Sequence, residues 1–429
     1  MNYVNMENWR YMMYNIKKIF ACLLLMLPAM VFSQQHYVLS LDTILQRIDR
    51  NNILLQSYGL KAEAYKYSAE AATAWMPPMV GAGTFMTPYP GQMIMEARDR
   101  GSLMLQIEQD IPNPAKQRAR RRYIESQGNI ERATRDITLN EFKSQGKRLY
   151  FNWLVAEQRM KVLKQNERIM VTMKKIEEVR YPYNQSQLGS VYQAEAKVEE
   201  NRNMILMQEG EIARSRAWLN SLMNLPGNES FEIDTTFEPR FISAANYDTA
   251  DLANSRKDVL RMNESIRSME LNIESMKLGR KPDFKINFGH MYPLDAMMPK
   301  AFSVMGMVSI PIAPWASKMY KSEVKAMQFN VQAMEKERAA MLQETQGMLY
   351  GMQYEIQSMQ KRIDAMEKKV IPSLKKSMDA SFLSYQENKL QLPVVIDAWE
   401  ALTMMQLNVL DEKLKLYQMI VDYEKELYR

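Results

Sequence analysis

Thiols and imidazoles are almost missing from this chain, and glycine is scarce: 429 residues hold one cysteine, two histidines and 15 glycines. The lone Cys22 sits within the apolar stretch near the N-terminus, so the rest of the sequence has no thiol for a disulfide, a zinc knuckle or a nucleophile. His36 and His290 are far apart and lack metal-ligand spacing, and Gly81-Ala82-Gly83 lies in a strand pattern rather than before a helix, so it is no phosphate loop. The scattered Asp and Glu read as solvated helix faces, and the chain is expected to be neither an enzyme nor the holder of a cofactor. Beyond Phe32 no run of 18 apolar residues occurs, which excludes a transmembrane helix. An exported chain of this kind can cross a membrane only on strands, because lipid leaves no other way to satisfy the backbone.

An N-terminal export signal is what the first residues suggest. Lys17-Lys18 precede about 14 apolar residues from Ile19 to Phe32, and a cleavage site after Ser33 would leave a mature chain starting near Gln34. Met12 or Met13 would serve equally well as the start.

The remainder reads as a duplication. Leu55, Pro77, Ile111-Pro112 and Tyr183 return as Leu260, Pro282, Ile310-Pro311 and Tyr385, at offsets of 205, 205, 199 and 202. Each copy runs helix, strand, turn, strand, helix. In Ser102 to Ile111, Leu103, Leu105 and Ile107 alternate with Met104, Gln106 and Glu108; Phe284, Ile286 and Phe288 alternate with Lys285 and Asn287. Such strands are about 9 to 10 residues long, enough to cross a bilayer when tilted. Four strands cannot close a barrel. Two chains would supply eight, with a filled interior, and three would supply twelve, with room for a pore, so a trimer or larger assembly is expected.

No proline interrupts the sequence between Pro114 and Pro182, a stretch that would make a helix on the order of 100 Å long. The chain then turns at Pro182 to Ser190 and comes back, and the second copy does likewise around Gln386 to Pro393. Leu342, Leu349, Ile356, Ile363 and Val370 recur every seven residues, with Met352, Met359 and Met366 three positions on, which is a coiled-coil seam. The fold class is therefore mainly α with a β-barrel part. The expected divisions are a signal peptide over 1–33, a first repeat over 34–226 (β-hairpin about 79–111, helical hairpin about 115–224), a linker over 227–250, and a second repeat over 251–429 (β-hairpin about 283–310, helical hairpin about 315–429).

These segments resemble the TolC family of outer-membrane efflux channels over nearly the whole mature chain. The resemblance is carried by Leu41-Asp42-Thr43-Ile44-Leu45 through Asn51-Asn52, by Pro77 and Pro282 before their strands, and by Ile111-Pro112 and Ile310-Pro311 before lysine-rich helices. Tyr183 with Gly189, and Leu219 to Pro226, complete it. What it implies is a homotrimer in the cell outer membrane with a twelve-stranded barrel and a periplasmic helical extension, whose tips meet a periplasmic adaptor protein and an inner-membrane pump of the RND type. Substrate would pass through unchanged. On that pattern Tyr183, Gln187, Leu188 and Gly189 of the first tip and Tyr385, Glu387, Leu390, Val394 and Asp397 of the second form the periplasmic entrance and adaptor contacts. Val394 stands where cation-selecting members often look acidic, so this chain departs from the pattern there and cation selectivity would need a source other than a carboxylate at this position.

Methionine supplies the clue to substrate. Of 38 in the chain, six fall within the first 33 residues and 32 remain. Thioethers are soft ligands that suit Cu(I) and Ag(I), and the candidate metal residues are Met291, Met297, Met298, Met404 and Met405, with His290 beside Met291 and with Met86, Met93 and Met95 in the first hairpin loop. Methionine also fills coiled-coil seams, and Met327, Met334, Met341 and Met348 form such a series. The readings are soft-metal efflux, drug or other small-molecule efflux, type I protein secretion, and a periplasmic coiled-coil scaffold without a pore. The basic run Lys116, Arg118, Arg120, Arg121 and Arg122 lacks interleaved aromatics and follows a strand, which suits lipid headgroups or an adaptor and not nucleic acid.

Overall fold

The computed structural model describes residues 37–243, 247–311 and 314–428. The proposed signal peptide, Cys22 and His36 lie outside the described residues.

A short strand β1 (Val38–Leu39) leads into α1 (Leu41–Asn51) and α2 (Ile53–Ala71). Asn52 separates the two helices. Its Oδ1 accepts hydrogen bonds from the Leu54 and Leu55 amides at 3.1 and 3.4 Å, capping α2, while its Nδ2 donates to the Leu222 carbonyl at 3.0 Å. Strands β2 (Met79–Phe85) and β3 (Ser102–Ile111) follow, then α3 (Pro114–Arg180), a helix of 67 residues and about 100 Å. Pro114 opens α3 because its missing N–H costs nothing in the first turn, and Asn113 caps it by accepting from the Ala115 amide at 3.0 Å. The chain returns as α4 (Leu188–Leu222), crosses a segment with β4 (Glu232–Ile233) and α5 (Thr249–Ser255), and enters the second copy: α6 (Lys257–Lys277), β5 (Phe284–Pro293), β6 (Ala301–Val308), α7 (Pro314–Ala365), α8 (Ile371–Gln386) and α9 (Leu392–Glu426).

The core sits half-way along the long helices. Residues Tyr150, Phe151, Trp153, Leu154, Val155 and Ala156 of α3 are all buried, so the helix is enclosed on every side there, as a helix apolar all round must be. The enclosure comes from the segment between the copies. Phe231 packs on Trp153 with centroids 5.3 Å apart, the Tyr150 hydroxyl donates to the Asp234 carbonyl at 2.6 Å, Phe237 stacks on Phe151, and the Tyr247 and Tyr423 hydroxyls meet at 2.7 Å. β4 pairs in parallel with β1, tying this belt to the start of the described chain. Farther toward the strands, Gly128 lets α2 lie close on α3: a Cβ there would sit 3.1 Å from the Ala62 carbonyl oxygen.

The coiled-coil seam holds for three heptads and then shifts. Leu349, Ile356 and Ile363 are buried and Leu342 packs against them, but Val370 is 37% exposed. Pro372 explains the difference. It has no N–H to donate back into the helix and its ring crowds the carbonyl four residues earlier. The backbone accommodates it with a π-turn over Met366–Val370, which inserts one residue. The seam resumes at Ile371, Met378 and Tyr385, again every seven. Met327, Met334 and Met341 are half-buried at the side of this seam.

The four longer strands make one antiparallel sheet in the order β2-β3-β5-β6, with both copies joined through β3 and β5. Register places Val80, Ile107, Phe288 and Val304 in one row and Met79, Glu108, Asn287 and Met305 in the neighbouring row on the opposite face. One face is thus apolar and open, with Val80 73%, Phe302 71% and Val304 63% exposed. Among the described residues, the outer edges of β2 and β6 have no partner strand. No described helix is long and apolar enough to cross a membrane.

Candidate functional site

At the end of the molecule away from the sheet, the two helical hairpins turn and pack against each other. Both turns use the same device. After α3, Tyr181–Tyr183 form a 3-10 turn, Asn184 takes a left-handed conformation at φ 57°, and Gln187 leads into α4 at Leu188. After α8, Asn388 is left-handed at φ 60° and Gln391 leads into α9 at Leu392. Asparagine tolerates this conformation better than other non-glycine residues. The turns therefore align at an offset of 204, Asn184 with Asn388 and Leu188 with Leu392. This corrects the pairing of Tyr183 with Tyr385: the counterpart of Tyr385 is Tyr181, since the left-handed asparagines fix the frame.

The named tip residues divide into two groups. Tyr183 is 74% exposed, Gln187 and Leu188 begin α4, and nothing crowds Gly189, whose missing side chain serves no contact in this chain. Glu387 ends α8 and its carboxylate pairs with Lys389 at 2.6 Å. Val394 and Asp397 are exposed three residues apart on one side of α9, while Val395, Ile396 and Trp399 on its other side are buried with Met170, Met173 and Met378. Leu390 packs against that core. Tyr385 is itself buried.

Sequence reasoning named Tyr385 but missed Glu177, Arg180 and Ser186, which hold the tips together with it. The Arg180 guanidinium lies 4.8 Å above the Tyr385 ring, and its Nη2 donates to the carbonyl oxygens of Tyr385 at 2.9 Å and Gln386 at 3.1 Å. The Tyr385 hydroxyl donates to Glu177 Oε1 at 2.5 Å, and Ser186 donates to the other oxygen of that carboxylate. One knot thus binds α3, the first turn and the end of α8. Beside it lies a polar cleft of about 510 Å³ between Arg180, Ser186, Gln187, Asn388 and Gln391. Farther along the hairpins from the turns, Lys174 bridges to Glu195 at 2.8 Å and Lys197 to Glu400 at 2.6 Å, the latter joining α4 to α9. The carboxylates Glu200 and Glu400 hold the Lys197 ammonium above its ordinary pKa.

Burial, and after it the bond to Glu177, push the Tyr385 phenol above its ordinary pKa. A raised folded-state pKa means that the folded tip keeps its proton where the open tip loses it. The contact is therefore fully present below the free phenol's value of about 10 and weakens as pH rises beyond it. Alkaline pH should accelerate protease cleavage at residues 183–190, and Tyr385→Phe, which cannot ionise, should abolish that acceleration.

The candidate metal residues are dispersed. Met297 and Met298 lie in the loop after β5, 89% and 40% exposed; Met86, Met93 and Met95 are exposed in the first hairpin loop. Met404 and Met405 stand twelve residues into α9, about 18 Å from the tip. Met291 belongs to β5 and Met404 is far from it in the fold, so the five do not form one centre.

No family model matches the chain, and no curated protein does. Solved structures do. The outer membrane protein VceC of Vibrio cholerae superposes with a TM-score of 0.68 at 14% identity, over 90% of this chain and 95% of VceC. The CmeC outer membrane channel of Campylobacter jejuni gives 0.68 at 14%, over 90% and 85%. The open state of the MtrE outer membrane channel of Neisseria gonorrhoeae gives 0.66 at 15%, over 90% and 88%. At these identities the likeness is one of fold: this chain has the fold of the outer-membrane channels.

Proposed function

We propose that this protein is the outer-membrane exit duct of a tripartite efflux system, a passive channel from periplasm to exterior. The observation that carries this reading is the four-stranded sheet, apolar and open on one face, polar on the other, with both edges unpaired among the described residues. An unpaired edge in lipid leaves N–H and C=O groups unsatisfied at several kcal/mol each, so the edges have to meet those of other copies, and three copies give a barrel wide enough for a pore. The shared fold with outer-membrane channels supports the same conclusion.

On this reading residues 1–33 are the signal peptide, 34–226 and 251–429 are the two repeats, and 227–250 forms the belt between them. The homotrimer's helices extend about 100 Å into the periplasm. The tips, with Tyr183, Gln187, Leu188 and Gly189 and with Glu387, Leu390, Val394 and Asp397, meet the adaptor and an RND-type inner-membrane pump. The knot of Glu177, Arg180 and Tyr385 holds the entrance closed. The substrate class proposed is soft metal ions, copper and silver, on the strength of 38 methionines in 429 residues. Drug efflux and protein secretion use the same duct and are the competing readings.

Deleting the gene and measuring cell-retained silver and copper under sublethal metal, beside a fluorescent drug, decides among them. Metal rising alone is the expected result. Drug rising alone would assign the duct to small molecules, and no change in either would overturn the efflux reading.

A further inference from the structure

The four membrane-length strands contain five methionines, Met79, Met104, Met291, Met305 and Met307, and register puts all five on one face. That face is the polar one, shared with Gln106, Glu108, Asp110, Lys285, Asn287 and Ser303. The apolar face is built from Leu103, Leu105, Ile107, Phe288, Phe302, Val304 and their neighbours, and carries no methionine. Methionine standing in for leucine as filler would gather on the apolar face, where side-chain burial in lipid rewards it. On the polar face Met79 and Met305 are 56% and 58% exposed and gain little from packing.

Met104 and Met291 are direct partners across β3 and β5. Opposed residues have Cβ atoms about 4.5 to 5.5 Å apart, within reach of two flexible thioethers converging on one ion. Their row is flanked by Gly83 and Ala301, and the next row has Gly81 and Gly289. The Met104 methyl lies over Gly289, where a Cβ would stand 3.2 Å from it, so the glycine keeps the space into which the thioether folds. The nearby carboxylates are already committed. Lys285 contacts Glu108 at 2.5 Å and Asp110 at 3.4 Å, so the soft donors on this face are the sulfurs.

We propose that Met104 and Met291 form a thioether pair on the inner wall of the barrel that binds soft monovalent cations of the Cu(I) and Ag(I) class, with Met79, Met305 and Met307 as further weak stations. The inner-wall position rests on the duct reading above. Met79 and Met305 share a row about 13 Å, or four residues, along the strands from the pair. They occupy the two sheet edges, and closure of the barrel brings the β6 edge of one chain toward the β2 edge of the next. Dispersed stations of two thioethers suit a conduit, where an ion has to leave as readily as it binds.

The test is silver titration of the purified full-length protein in detergent with carbon-13-labelled methionine methyls, with sodium as the hard-cation control. Silver should shift the Met104 and Met291 methyl signals first, and sodium should shift neither. The double variant Met104→Leu/Met291→Leu should lose the tightest silver site, whereas Met404→Leu/Met405→Leu should keep it. First shifts at Met297 and Met298, or unchanged silver affinity in the Met104/Met291 variant, would overturn the proposal. If the variant misfolds, the order of methyl shifts in the unsubstituted protein still decides for or against the pair. Binding is read without transport, so normal metal retention in the deleted strain would remove the metal-duct reading and leave the site standing.

Discussion

Arg180→Ala is expected to open the tips by about 3 kcal/mol, on the order of a hundredfold in the local opening equilibrium. The substitution removes two charge-assisted hydrogen bonds to the Tyr385 and Gln386 carbonyls together with the cation held over the Tyr385 ring. Hydrogen bonds from charged donors contribute about 1.5 to 3 kcal/mol each, and the lower end applies here because the Gln386 carbonyl is exposed to water and the Tyr385 carbonyl keeps the Asn388 amide at 3.0 Å. What remains is the Tyr385 bond to the Glu177 carboxylate, without the cation that lay over the Tyr385 ring. Amide hydrogen exchange should quicken at residues 181–190 and 386–392 and stay slow around Trp153, since the central core is separate from the tip cluster. In planar bilayers the variant should conduct more than the parent protein. Unchanged exchange at both turns would show that the apolar tip cluster, not the knot, holds the hairpins together.

The parts of the molecule governed by local pattern were legible in the sequence. Alternation in Ser102–Ile111 is a property of adjacent residues, and so is the proline-free run that becomes α3. The heptads were legible as far as Ile363 and failed at Val370, because Pro372 forces an extra residue into the helix and a strict count of seven does not see it. The belt was not legible. Phe231, Phe237, Phe241 and Tyr247 have no period, and only their meeting with α3 and α9 gives them a role. Nor was the knot: Glu177 and Arg180 look like any charged pair on a long solvated helix, and their partner Tyr385 is 208 residues from Glu177. The signal available was the asparagine in the turn after each hairpin helix, Asn184 and Asn388, which would have aligned the turns and shown which tyrosines correspond.

Leu105→Arg is expected to prevent stable insertion in the outer membrane, while Gln106→Arg, one residue away, leaves insertion intact. The two positions lie on opposite faces of β3: Leu105 is in a row with Ala82, His290 and Phe302, and Gln106 with Gly81, Gly289 and Ser303. An arginine on the lipid face near the bilayer midplane costs about 2 to 4 kcal/mol per chain. In the proposed trimeric barrel three copies multiply that to roughly 6 to 12 kcal/mol, comparable to the whole stability of a typical domain. On the polar face the same charge meets water and two glycines, and its effect should be confined to ion selectivity of the proposed pore. Membrane fractionation and heat-resistant trimer on gels read the first variant, and reversal potential reads the second. A periplasmic scaffold with no pore would treat the sheet as a half-buried cap and leave Leu105→Arg in the soluble fraction beside its parent. Loss of trimer from the membrane in Leu105→Arg alone is therefore the outcome that separates a channel from a scaffold, and it does so without reference to what passes through.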